Sequence, residues 1–182
     1  LRNQSHQPGL DNAVRVSIGS AEEMQAFLAV LNGEALPARA AQRIDTVIRK
    51  TNETAISVRV NLDAVAPVRI NTGIGFYDHM LDQIAKHGGF SLEIDCEGDL
   101  YIDPHHSVED CAIALGQAIR RALGDKRGIE RYGFCLPMDE SQVQVALDFG
   151  GRFYLDFKAD FPESHVGDLP TDWVPPVFSS LS

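Results

Sequence analysis

Glu53-Thr54-Ala55-Ile56-Ser57-Val58-Arg59-Val60-Asn61-Leu62 alternates with a period of two. Ile56, Val58, Val60 and Leu62 take one face, and Glu53, Ala55, Ser57, Arg59 and Asn61 the other, as in a strand buried on one side. A loop around Ala64–Pro67 leads to a short strand at Val68–Ile70. Thr72-Gly73-Ile74-Gly75 then feeds a helix over about Phe76–His87, closed by Gly88-Gly89. Phe76, Met80 and Ile84 stand at i, i+4, i+8 and are read as its buried stripe. Leu92, Ile94 and Cys96 alternate as a third strand. A second helix covers about Ser107–Leu123, with Val108, Cys111, Ala112, Leu115, Ile119 and Ala122 inward.

The pattern then begins again. Val143, Val145 and Leu147 alternate, Gly150-Gly151 turns, and Phe153, Leu155 and Phe157 alternate back, which predicts a β-hairpin. Pro162–Pro176 reads as loop, and Val177–Leu181 as the first turn of another helix. If the second half copies the first, its last strand and last helix are absent.

Upstream of the opening strand the character changes. Val14–Ile18 alternates, and Ser20 with Glu23 forms a capping box for a short helix with Met24, Phe27, Leu28 and Leu31 apolar. Asn32-Gly33 stops that helix, and a small-residue linker with Pro37 follows. The chain therefore divides into 1–32, a linker 33–42, and a main domain 43–182. One strand and one helix cannot bury a core alone, so the first piece must dock or stay loose.

At 44% hydrophobic and 23% charged residues, the 182-residue chain has the balance of a soluble globular protein rather than a disordered one. No apolar run approaches the ~20 residues needed to cross a bilayer, so no membrane partner is expected. A net charge of −10 excludes most nucleic-acid binders, which need a basic surface. It still allows a few arginines to line a pocket for a small anion. Cys96, Cys111 and Cys135 are odd in number and scattered, which predicts reduced thiols and a cytoplasmic setting. The chain shows no signal peptide, and its start at Leu1 hints at processing or a fragment.

The strongest chemical signal is Asp103-Pro104-His105-His106-Ser107-Val108-Glu109-Asp110. On a helix, His106 and Glu109 are three apart and His105 and Glu109 four apart, so the side chains converge on one face. Two imidazoles and a carboxylate suit a divalent transition metal, with Asp103 and Asp110 as acceptors that orient the rings. The plainer reading is a polar helix start whose His and Glu complement the dipole. His79 stands off the apolar stripe of its helix. Taken alone it is a surface or satisfied core residue; beside the cluster it becomes a further ligand. Glu53 is a solvated strand carboxylate when read singly, and an acid/base when read near a metal. Arg131 and Arg152 flank the second hairpin and are suited to a phosphorylated substrate, although most arginines are surface charges. The glycines fit turns rather than a nucleotide cradle, and no nucleophile arrangement stands out.

Several motifs then fall into register: Asn52-Glu53-Thr54, Asn71 through Leu81, Gly98 through Asp103, His105 through Asp110, Leu123 through Ile129, and Leu136-Pro137-Met138-Asp139-Glu140. Over residues 43–182 the sequence resembles imidazoleglycerol-phosphate dehydratase, closest to the bacterial form often fused behind a histidinol-phosphatase domain. That resemblance implies an α+β fold of duplicated half-domains, each an antiparallel-rich sheet with two helices, the second half here truncated. It implies a hydro-lyase of histidine biosynthesis that removes water from imidazole glycerol phosphate to give imidazole acetol phosphate. Two manganese ions per site are implied, with the substrate ring bound as an imidazolate. By motif match Glu53 is the acid/base, His79, His105, His106 and Glu109 are metal ligands, and Arg131 and Arg152 meet the substrate phosphate. Self-association into a large homo-oligomer, with metal sites at subunit contacts, is also implied.

Two departures qualify this. The family's second His-His-x-x-Glu cluster lies beyond Ser182, and His165 does not replace it, so weak or absent turnover is expected from these residues alone. Trp173-Val174-Pro175-Pro176 is expected to interrupt a segment that the family makes helical. Residues 1–31 resemble instead the C-terminal tail of histidinol-phosphate aminotransferase, where the Arg15 position contacts an anionic group; no lysine-cofactor domain accompanies it. The alternatives are a non-catalytic metal-binding or assembly remnant of the dehydratase family, and a hydrolase using the same His/Glu site on another phosphorylated compound.

Overall fold

The computed structural model describes residues 2–3, 14–15, 21–33, 42–126, 129 and 133–182. The chain divides into two compact units, Leu1–Ala41 and Gln42–Ser182. In the first, β1 (Arg2–Asn3) pairs antiparallel with β2 (Val14–Arg15). Helix α1 (Ala21–Leu31) follows and is closed by Asn32 and Gly33, whose amides donate to the Leu28 and Val30 carbonyls. Leu28 and Leu31, predicted inward, are exposed, while Met24 and Phe27 are half-buried. Residues 4–13 and 16–20, the latter with the Ser20 cap, lie outside the described residues.

The second unit is built on a four-stranded sheet of order β3 (Ile44–Lys50), β4 (Thr54–Asn61), β6 (Ser91–Gly98), β5 (Val68–Asn71). Two of its pairings are antiparallel, β3 with β4 and β4 with β6, and β5 runs parallel to β6. Helix α2 (Gly75–Gly88) makes the crossover between those parallel strands. Helix α3 (His105–Leu123) lies on the same face. The architecture is α+β and antiparallel-rich.

Alternation explains the layering. Ile56, Val58 and Val60 of β4 and Leu92, Ile94 and Cys96 of β6 face the helices and are buried. The opposite face carries Ser57 against Asp95 and Arg59 against Glu93, the latter an ion pair at 3.0 Å. A polar face of this kind stays in water. Strand β3 was not foreseen. Val47 is its one buried apolar residue and the neighbouring Ile48 is exposed, so no clean two-residue period marks it.

Helix α2 corrects the predicted stripe by one position. Tyr77, Leu81 and Ala85 are buried, whereas Met80 and Ile84 are more than a third exposed. Both series have the same spacing, so periodicity could not choose between them. Tyr77 decides it, because its hydroxyl donates to the Val108 carbonyl of α3 at 3.2 Å and burial keeps the phenol neutral, its pKa far above the usual value. Gly89 closes α2 in the left-handed region at φ 67°, a conformation a side chain would strain. At the other end, the Asp78 carboxylate accepts from the amide and hydroxyl of buried Thr72 at 2.8 and 2.6 Å.

The second half starts with β7 (Phe134–Met138) and β8 (Ser141–Val145), an antiparallel hairpin around Asp139-Glu140. The predicted hairpin is thus placed one strand too late: Phe153, Leu155 and Phe157 are not in a strand. Phe157 instead sets its ring 5.4 Å from Phe178 of α4 (Val174–Leu181). A short pair, β9 (His165–Val166) with β10 (Leu169–Pro170), and a 3-10 turn at Thr171–Trp173 precede that helix. The expected interruption by Pro175 and Pro176 does not occur. They fall in the first turn of α4, where amides have no intrahelical acceptor, so proline removes nothing. Helix α4 approaches α3 at Gly116, where any side chain would collide with the Leu181 carbonyl.

Candidate functional site

The first turn of α3 carries the site. Pro104 precedes it, and the Asp103 carboxylate accepts the His105 amide at 2.8 Å, satisfying one of the free donors of the helix start. His105 Nε2 and Glu109 Oε2, one turn apart, stand 3.4 Å from each other. His106 makes a separate contact. Its Nδ1 meets both oxygens of Asp99, at 3.0 and 3.2 Å. The Asp99 side chain is only 9% exposed against 41% for His106, so the carboxylate is the fixed anchor and the ring is what it aims. The hydrogen bond that His106 donates to Asp99 raises its pKa above the ordinary value, and the charges of Asp99, Glu53 and Asp103 act in the same direction.

Glu53 lies at the turn between β3 and β4, fully in reach of solvent. That turn is held from below. Thr51 Oγ1 accepts from the Glu53 and Thr54 amides at 3.2 and 3.0 Å. Thr54 Oγ1 donates to Asp110 at 2.6 Å, and Arg49 binds the same carboxylate through Nε at 2.9 Å and through a terminal nitrogen at 2.7 Å. Asp110 therefore couples α3, one residue beyond Glu109, to the turn that presents Glu53. It does not orient a histidine ring, as the sequence suggested for it and for Asp103; Asp99 does that for His106, and Asp103 caps the backbone.

Strand β6 ends at Gly98, where a side chain would collide with Ser107 in the first turn of α3. This close approach brings Asp99 under His106. On the other side, the Trp173 ring stacks on His105 with centroids 4.2 Å apart and planes 16° from parallel, and the His105 and His106 rings are near parallel at 5.4 Å. His79 is exposed on α2, its ring 6.4 Å from that of Phe76. Arg152 is exposed on the stretch after β8. Arg131 lies outside the described residues.

Among the described residues no three His, Cys, Asp or Glu side chains gather as a metal site. The convergence expected of His105, His106 and Glu109 is thus only partly present, since Asp99 draws His106 aside. The donors do fit a divalent cation in kind. An imidazole and a carboxylate offer edges to one gap at i, i+4, and a second imidazole is oriented by a buried carboxylate, the usual support of a ligating histidine.

The family model for imidazoleglycerol-phosphate dehydratase matches residues 72–182, more than half of the chain. The chain belongs to the imidazoleglycerol-phosphate dehydratase family. The crystal structure of the Staphylococcus aureus imidazoleglycerol-phosphate dehydratase superposes with a TM-score of 0.67 at 34% identity, covering 76% of each chain. The histidine biosynthesis bifunctional protein HisB of Stenotrophomonas maltophilia strain R551-3 is 58% identical over 141 residues, 78% of this chain and 40% of that protein. The HisB protein of Spirosoma linguale is 49% identical over 173 residues, 95% of this chain and 43% of its own length. The chain thus spans about two fifths of the curated relatives it matches.

Within this dehydratase domain, sequence reading missed Asp99, Trp173 and the Arg49–Thr51–Thr54 support. Asp99 sits in a motif already quoted for the resemblance, and Gly98 before it was the available signal of close packing. Trp173 gave none, because its contact with His105 spans 68 residues and depends on α4.

Proposed function

We propose that this domain is the dehydratase of histidine biosynthesis, converting imidazole glycerol phosphate to imidazole acetol phosphate at a manganese site. The observation that carries the proposal is the start of α3, where His105 and Glu109 meet one turn apart and the Asp99-held His106 feels the charge of Glu53. His105 and Glu109 would hold the cation, with His106 and His79 as further ligands. A divalent metal supplies Lewis acidity to a ring nitrogen and a template for the substrate.

The protein's own groups do the rest. Glu53, exposed and free to exchange protons, is the acid/base that moves the proton from carbon and delivers one to the departing hydroxyl. The Asp110 support ties the turn that presents Glu53 to α3. Arg152, with Arg131, would take the phosphate, where a guanidinium fork binds two oxygens at once. Copies of the chain would associate and complete each other's sites, and the setting proposed is the cytoplasm. No helix among the described residues is long and apolar enough to cross a membrane.

Among the described residues no three of these donors gather around one point, so the 182 residues alone are expected to turn over slowly. The experiment measures turnover of imidazole glycerol phosphate, and binding of a triazole phosphonate mimic, with and without manganese. Slow manganese-dependent turnover that disappears in Glu53→Gln is the expected result. Binding of metal and mimic without turnover points to a non-catalytic member of the family. Absence of any manganese dependence in either assay overturns the proposal.

A further inference from the structure

Trp173 stands in the second half of the domain, yet its ring lies flat against His105 in the first half. Its position is fixed from both sides. Before it, the buried Thr171 donates its amide to the Ser164 carbonyl at 2.9 Å and its hydroxyl to the Glu163 carbonyl at 2.8 Å. After it, α4 is seated on α3 at the Gly116–Leu181 contact, and Trp173, Val177 and Leu181 all pack against the core. The indole is therefore a held surface rather than a loose side chain. An imidazole stacked on it loses rotation about its side-chain bonds and keeps its edge, with Nε2, turned to Glu109.

We propose that Trp173 is a positioning residue for the metal site: by stacking on His105 it presets the ring that, with Glu109, takes a divalent cation. The proposal rests on the metal reading given above and adds the element that organises it. In this role Trp173 acts through His105. It also links the halves of the domain, since α4 must be seated before the first-half ligand is aimed.

Trp173 is the only tryptophan in the chain, so its emission reports on the ring beneath it. The experiment titrates the 182-residue chain with manganese(II) chloride, following free manganese by electron paramagnetic resonance and Trp173 by fluorescence. Quenching of the emission with the same midpoint as the loss of free manganese is expected, and both signals should fail in His105→Gln. Trp173→Ala should weaken manganese binding about 3- to 10-fold, the range that an aromatic stacking contact allows. Trp173→Phe, which keeps a flat ring, should stay within about twofold of the parent, and far-UV circular dichroism checks that both variants fold. Manganese binding that leaves the emission unchanged, or equal affinity in the parent and Trp173→Ala, overturns the positioning role. Loss of binding in His105→Gln with no effect of Trp173→Ala removes this inference alone. No uptake of manganese by the parent chain removes the metal reading with it.

Discussion

The two halves of the main domain run through the same kinds of element and end in different states. In the first, β6 lies between β4 and β5 and gives each a partner, and the sheet then buries Ile56, Val58 and Val60 almost completely. In the second, among the described residues β8 is paired only with β7, and Leu136, Met138 and Val143 are each more than half exposed. Residues 153–157 alternate as well as β4 does, yet form no strand. Alternation shows which face of a strand is apolar; it does not supply the neighbour that accepts the backbone hydrogen bonds. An isolated two-stranded hairpin is marginal in water, and three or more strands are needed for independent stability. The candidate site follows the same division: the His105–Glu109 pair, the Asp99 anchor and the support under Glu53 belong to the closed half, and the open half contributes Trp173.

The largest expected effect tests that division directly. Leu81→Ala, in a fully buried position, should cost ~2–5 kcal/mol in urea unfolding, while Val143→Ala on the open hairpin should stay within ~0.5 kcal/mol. Equal costs would mean that the hairpin is covered in solution. Next, Asp110→Ala should cost ~1–3 kcal/mol, because Thr54 Oγ1 loses its buried acceptor and Arg49 its carboxylate. Asp110→Asn should retain part of this. If neither variant is destabilised, the support under Glu53 is not one.

A smaller effect separates orientation from stability. Asp99→Asn should weaken manganese binding by ~10-fold, as is common when the partner of a ligating histidine is lost, with little change in unfolding midpoint. Smallest of all is Asp168. It lies between β9 and β10, and its carboxylate accepts the Gly75 and Phe76 amides at 2.6 and 2.8 Å, so the open half caps a helix of the closed one. These two backbone donors hold its pKa below the usual carboxylate value. A depressed folded pKa means that the contribution is complete above the unfolded carboxylate range and fades as pH falls through the folded value. Asp168→Ala should therefore cost about 1 kcal/mol at neutral pH, and the gap from the parent should shrink below about pH 4. A pH-independent gap would assign the loss to packing instead.

Legibility in the sequence followed the reach of each interaction. Strand β4, strand β6 and helix α3 were readable because their faces are set by residues within one or two turns of each other. The stripe of α2 was misplaced by one residue because Phe76/Met80/Ile84 and Tyr77/Leu81/Ala85 share a spacing, and only a hydroxyl bonded to α3 tells them apart. Strand β3 escaped notice because it is an edge with a single buried residue. The prolines of α4 misled because their cost depends on position in the turn, which no composition rule records. At the site, the helical spacing of His105 and Glu109 correctly brought them together. The same spacing does not bring His106 into a three-donor group; the nearly buried Asp99 holds its ring through Nδ1 instead.

The central claim is that the turn at His105–Glu109 takes a divalent cation for the chemistry of this dehydratase family. Anomalous scattering at the manganese absorption edge, from crystals grown with manganese, tests it most directly. A peak in the gap between His105 Nε2 and Glu109 Oε2, absent from Glu109→Gln crystals, is the result this account predicts. A manganese-saturated protein whose anomalous peaks all lie away from those two side chains would contradict it.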